Sequence, residues 1–141
     1  MSARNSTLTI LPVMTEWHRF VKSKDPAILS ALLHPEVVFK SPLLHAPQHG
    51  QDITMKYLLA AVKVLTVPGF KYVNEWRNDT GVVLEFCTTI EGISINGVDL
   101  IGVNDDATLI TRFKVMIRPL KGIQLLQRLM SEELGIAPAP R

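Results

Sequence analysis

The sequence predicts an α+β fold in which helices pack over one face of a curved antiparallel sheet and enclose an apolar pocket. Three observations predict it. Apolar residues recur at i, i+3 and i+4 through much of the first half, the signature of one-faced helices. From Phe70 onward apolar and polar residues alternate, as in half-buried strands. The connections between these alternating runs are only a few residues long, which requires antiparallel neighbours. One-faced helices beside such a sheet must bury their stripes against it. A strongly curved sheet leaves a gap under the helices, and gaps between layers are where small ligands sit.

Each element has its own signal. Trp17, Phe20 and Val21 share one face of a first helix that ends near Ser23-Lys24. Asp25-Pro26 restarts the chain with an N-cap candidate and a proline at the first helical position. Ile28, Leu29, Leu32 and Leu33 form the stripe of a second helix, stopped by His34-Pro35 because a residue before proline avoids the α region. Val37-Val38-Phe39 reads as a short strand, and Pro42, Pro47 and Gly50 punctuate a loop. A third helix runs from Gln51 to Val64 and stops before Pro68-Gly69. In the next strand Phe70, Tyr72 and Trp76 are expected on one face, with Lys71, Glu75 and Arg77 on the other. After the Asn78–Gly81 turn, Leu84, Phe86, Thr88 and Ile90 oppose Glu85, Cys87, Thr89 and Glu91. A third strand covers about Ile95 to Val103, and Asn104-Asp105-Asp106 turns into a fourth, Leu109 to Ile117. Arg118-Pro119 opens a last helix carrying Ile123, Leu126, Leu129 and Met130 on one face, with Gly135 as its C-cap. The Ala137–Pro140 tail is expected to fray.

With 141 residues and no linker or repeat, one domain over 1–141 is expected, its core about 10–133. Hydrophobic residues at 47% against 20% charged exclude a disordered chain. A net charge of only +2, with the basic residues scattered along the sequence, argues against nucleic acid as a partner. No run approaches the roughly 20 apolar residues of a membrane span, so no membrane partner is expected. Cys87 is the single cysteine, which forbids an internal disulfide and fits a reducing, cytoplasmic setting. It is read as a buried structural thiol rather than a nucleophile. The four histidines lack metal-binding spacing and no carboxylate completes a triad, so neither metal nor cofactor is expected.

The run from Lys24-Asp25-Pro26-Ala27 through Leu32-Leu33-His34-Pro35-Glu36-Val37-Val38-Phe39-Lys40-Ser41-Pro42 to Gly50, followed by Gly97-Val98-Asp99-Leu100-Ile101, resembles a known family. It is similar to the ketosteroid-isomerase-like, or nuclear-transport-factor-2-like, superfamily with its SnoaL-like polyketide cyclases, over about residues 10–133. The resemblance implies a cone-shaped, cystatin-like fold, a small hydrophobic ligand and a homodimer through the outer sheet face. Val83, Cys87 and Thr89 make that face apolar enough to associate. Glu85 and Glu91 are expected on it, with Arg118 free to pair with one of them.

Carried over residue by residue, the resemblance leaves a mixed set. The steroid isomerases place their proton-moving aspartate at the position of Ser41, a hydroxyl too weak to serve as a base alone. Their first-helix tyrosine donor falls on Trp17, whose indole N–H still donates. Their third-strand aspartic acid, kept protonated by an apolar site, falls on Asp99. The residues that the epoxide-hydrolase branch needs fall on Phe86, Thr88 and Val115, none ionisable.

The candidate catalytic residues are therefore Asp99, Trp17 and His45, the last as a substitute base four residues after Ser41. Ser41, Tyr57, Phe86, Thr88, Phe113 and Val115 are candidate ligand contacts. Each has a plainer alternative. Asp99 could face outward or pair with a cation, Trp17 could simply fill the core, and His45 could be a solvated loop residue. Two functions follow: isomerase, cyclase or lyase chemistry on a small apolar carbonyl compound, or a binding or dimerising domain without turnover.

Overall fold

The computed structural model describes residues 10–136, so the Ala137–Pro140 tail lies outside the described residues. Helix α1 (Leu11–Ser23) buries Val13, Met14, Trp17, Phe20 and Val21 along one stripe and ends at Lys24 in the left-handed conformation. Asp25 caps α2 (Pro26–Leu32), its Oδ1 accepting the Ala27 N–H at 2.9 Å. Leu33, expected in the helix, instead begins strand β1 (Leu33–Lys40). The short β2 (Gln48–His49) lies within the expected loop, and Gly50 at φ 103° turns the chain into α3 (Gln51–Leu65).

Strands β3 (Lys71–Arg77), β4 (Gly81–Ile90), β5 (Ile93–Val103) and β6 (Ile110–Arg118) follow as an antiparallel meander. The β4–β5 turn places Glu91 and Gly92 at φ 52° and 78°, the two positive values a tight primed hairpin needs. Helix α4 (Leu120–Leu134) returns over the sheet and closes on Gly135 in the left-handed region.

The sheet has six strands in the order β2-β1-β6-β5-β4-β3. β1 pairs parallel with β6, so a mixed sheet surrounds the expected antiparallel four. Nothing in the local pattern of β1 distinguishes a parallel neighbour from an antiparallel one. The alternation in β4, β5 and β6 holds: Leu84, Asp99 and Val115 lie in one row across the sheet, and Val82, Ile101 and Phe113 in the next. These side chains face the helices and join Trp17, Phe20, Phe39 and Leu58 in the core.

The phase of β3 does not hold. Its register against β4 shifts between Tyr72 and Asn74. Before the shift Tyr72 pairs with Phe86 and faces inward; after it Glu75 pairs with Leu84 and Trp76 with Val83. A bulge reverses every later side chain, so Trp76 stands on the outer face, 55% exposed, rather than beside Tyr72. Arg118 forms no ion pair with Glu85 or Glu91: Glu91 binds Arg128 at 2.6 Å, and Glu85 accepts from Asn74 and Asn96.

Candidate functional site

The apolar pocket lies between the inner sheet face and α1, α3 and α4. Trp17, Phe39, Tyr57, Phe86, Phe113, Val115 and Met130 line it, with Ser41 and Leu43 from the loop after β1. It encloses about 630 Å³ including the part open to solvent, yet it is narrow. Its free interior is a cavity of only about 50 Å³. A ligand of several rings must move side chains aside to enter.

Asp99 is the one carboxylic acid lining this cavity among the described residues, and it is 6% exposed. β5 puts it there by simple alternation between the buried residues Gly97 and Ile101. A charged carboxylate there would cost several kcal/mol without compensation. Burial pushes the Asp99 carboxyl from 3.8 up to about 7, and the hydrogen bond from Tyr72 only partly opposes this. No cation reaches it in an ion pair among the described residues.

Tyr72 is the residue that the sequence reading left out of the site. Its hydroxyl donates to Asp99 Oδ2 at 2.7 Å, and the Tyr72 phenol oxygen in turn accepts the Trp17 indole N–H at 3.1 Å. Burial, then the neighbouring Asp99 charge, raise the Tyr72 hydroxyl well above its usual value, so it stays a neutral donor. The available clue was period two, which placed Tyr72 on the inner face; no motif distinguished it from a core aromatic.

This geometry corrects the roles of two candidates and the place of two others. Trp17 is 2% exposed and packs on Phe20 and Phe113 with centroids 5.4 and 4.9 Å apart. Its N–H already engages Tyr72, so it orients the phenol rather than offering the cavity a donor. Ser41 lines the cavity, but its Oγ accepts the Leu43 N–H at 3.0 Å and so closes a local turn. His45 does not line the cavity. It is exposed and borders a separate recess with Lys40, Leu44 and Met116. Thr88 is buried but also lies outside the cavity, one row too far along β4, beside Ile95. Its Oγ1 has no hydrogen-bond partner.

The cavity thus offers one buried acid, near-neutral by burial, and a phenol hydrogen-bonded to it, within apolar walls. It can hold an oxygen of an otherwise apolar molecule. A protonated Asp99 can donate to that oxygen, and an ionised one can accept a proton from it.

No protein-family model and no curated sequence matches the chain. Solved structures do. A steroid delta-isomerase from Pseudomonas aeruginosa is 30% identical with a TM-score of 0.79, over 94% of this chain and 93% of that one. A protein with a cystatin-like fold from Silicibacter pomeroyi is 27% identical with a TM-score of 0.77, over 86% and 84%. An NTF2-like protein from Mesorhizobium loti shares the fold at 18% identity with a TM-score of 0.69, over 84% and 98%. The chain belongs to the nuclear-transport-factor-2-like superfamily, in which a steroid delta-isomerase is among its similar structures.

Proposed function

We propose that this one-domain chain binds a small apolar molecule through a single carbonyl or hydroxyl oxygen held by Asp99. The observation that carries this reading is a buried carboxylic acid, held by Tyr72 but with no cationic partner among the described residues, facing an apolar cavity. Packing alone does not favour such an acid, since an apolar residue of similar size would cost nothing to bury. Trp17 and Tyr72 position the carboxyl, while Tyr57, Phe86, Phe113 and Val115 supply the apolar contact.

The test is binding of 2-naphthol, followed by the fluorescence of Trp17 in a protein whose other tryptophan is replaced, Trp76→Phe. Asp99→Leu should weaken 2-naphthol about tenfold or more, the value of one good hydrogen bond to a buried acid. It should leave naphthalene, which has no oxygen, unaffected. Equal 2-naphthol affinity in both proteins refutes the role of Asp99.

A second reading, proton transfer on a carbonyl compound, is favoured by the Asp99 carboxyl at about 7, a value suited to moving protons at neutral pH. Neither Ser41 nor His45 supplies a second acid–base group to the cavity, so Asp99 would have to act alone. Incubation with a 3-oxo-Δ5-steroid, read by the ultraviolet absorbance of the conjugated product, separates the readings. Turnover lost in Asp99→Leu supports catalysis, and the absence of turnover beside intact 2-naphthol binding leaves the binding role.

We further infer a homodimer through the outer sheet face, where Val98 and the exposed Met116 form an adjacent apolar pair. A cytoplasmic location is proposed on the free, partly buried Cys87 thiol, which suits a reducing compartment.

A further inference from the structure

The inner cavity has a direction. Asp99 sits towards one end, where the rings of Trp17, Phe39 and Phe113 pack on one another and close the wall. Val115 stands beside Asp99 on β6. The next inward row along the sheet is Phe86, Gly97 and Ile117, two residues of strand or about 7 Å further on. Past Ile117 the wall is completed by Leu65 of α3 and by Leu126 and Met130 of α4. Leu65, Phe86, Leu126 and Met130 form a second core cluster, apart from that of Trp17, Phe39 and Phe113.

Charge, polarity and width each restrict what can lie along this path. No lysine, arginine or histidine lines the cavity among the described residues, so an anionic head would meet Asp99 with nothing to offset it. The other polar walls are engaged locally: Ser41 Oγ accepts the Leu43 N–H, the Thr66 hydroxyl donates to the Val62 carbonyl, and the Tyr57 ring stacks on Phe39. A second polar group buried at the Met130 end would therefore lack a partner. The free interior of about 50 Å³ makes the path thin. A bulky saturated ring system must push several walls apart, whereas an unbranched chain needs chiefly Met130 to repack, and a thioether side chain does so readily.

We propose, building on the anchoring role of Asp99, that the ligand is a slender neutral molecule: a small flat head bearing one oxygen, with an unbranched aliphatic tail. The oxygen meets Asp99, the head lies against Phe113 and Val115, and the tail runs past Ile117 to Leu126 and Met130.

The Trp17 indole N–H resonance of 15N-labelled protein, assigned with Trp76→Phe, reports occupancy of the cavity. From 4-ethylphenol to 4-hexylphenol the affinity should rise about threefold per added carbon, about a hundredfold in all. 4-(1-Adamantyl)phenol carries more apolar carbon than the hexyl compound, yet its wide cage should make it bind at least about tenfold more weakly. Met130→Gln, close in shape, should weaken 4-hexylphenol about tenfold more than 4-ethylphenol. Ile117→Thr, at a half-buried position, should act in the same direction and replaces it if Met130→Gln does not fold. Asp99→Leu should weaken both alkylphenols by one common factor. If it weakens neither, the anchoring role of Asp99 fails and this placement with it. If it weakens both, three results overturn the tail placement alone: affinity that does not grow with tail length, an adamantyl compound that binds as tightly as the hexyl one, or a hexyl gain that survives both wall substitutions.

Discussion

Tyr72 donates its hydroxyl to Asp99 Oδ2 at 2.7 Å, from a strand whose register slips immediately afterwards. The slip lets one strand present Tyr72 to the cavity and Trp76 to solvent, although four residues of regular pleat would put both on one face. The Tyr72–Asp99 bond favours the ionised carboxylate and so holds Asp99 below the value burial alone would give. Tyr72→Phe should therefore raise the Asp99 pKa further. It should also leave the buried Trp17 N–H without its acceptor, at about 1–3 kcal/mol of stability. Chemical denaturation at pH 7 measures the loss, and an unchanged or lowered Asp99 titration would refute the assignment.

Asp99 makes folding stability depend on pH with a definite sign. Its carboxyl titrates at about 7 in the fold and near the ordinary aspartate value when unfolded, so the native state holds the proton over that interval. Its contribution is fully present below about pH 4 and is lost as pH rises through about 7. The difference amounts to about 4 kcal/mol. Thermal melts of Asp99→Asn should lack this component, so wild type should gain on the variant as pH falls from 7 to 4. A wild type that instead loses ground to Asp99→Asn on acidification carries an ionised, paired Asp99.

Gly97 faces inward two residues before Asp99 and pairs with both Phe86 and Ile117. A Cβ there would lie 2.5 Å from Phe86 Cζ and 2.7 Å from the Met116 carbonyl oxygen. Gly97→Ala must displace the ring or the strand, and overpacking of this kind costs about 1–3 kcal/mol. It should also reshape the cavity wall formed by Phe86 and weaken 2-naphthol. A variant as stable as wild type would mean the ring moves freely.

Asp99 was legible because β5 keeps strict alternation, and its apolar neighbours on the same face made burial readable. Phe86, Phe113 and Val115 were placed for the same reason. Tyr72 and Trp76 were not separable, since the bulge that parts them leaves no proline or glycine in Val73-Asn74-Glu75 to announce it. His45 was misplaced because spacing along an irregular loop does not report the loop's path. Leu33 fitted the helical stripe of its neighbours yet begins β1, where tertiary pairing with β6 overrides local periodicity.

Light scattering at micromolar concentration should give twice the chain mass if Val98 and Met116 seal a two-fold interface. Met116→Lys would place like charges across that axis and should shift the mass towards the monomer. A monomeric wild type removes the homodimer.

The most direct test of the central claim is the titration of the Asp99 carboxyl carbon by NMR in the ligand-free protein, assigned with Asp99→Asn. A buried acid held near neutrality by its apolar cavity should show a midpoint near 7. A midpoint within the ordinary carboxylate range would mean that the cavity holds a stable charge, and Asp99 could not be the near-neutral acid that donates to a carbonyl oxygen in the proposed ligand recognition.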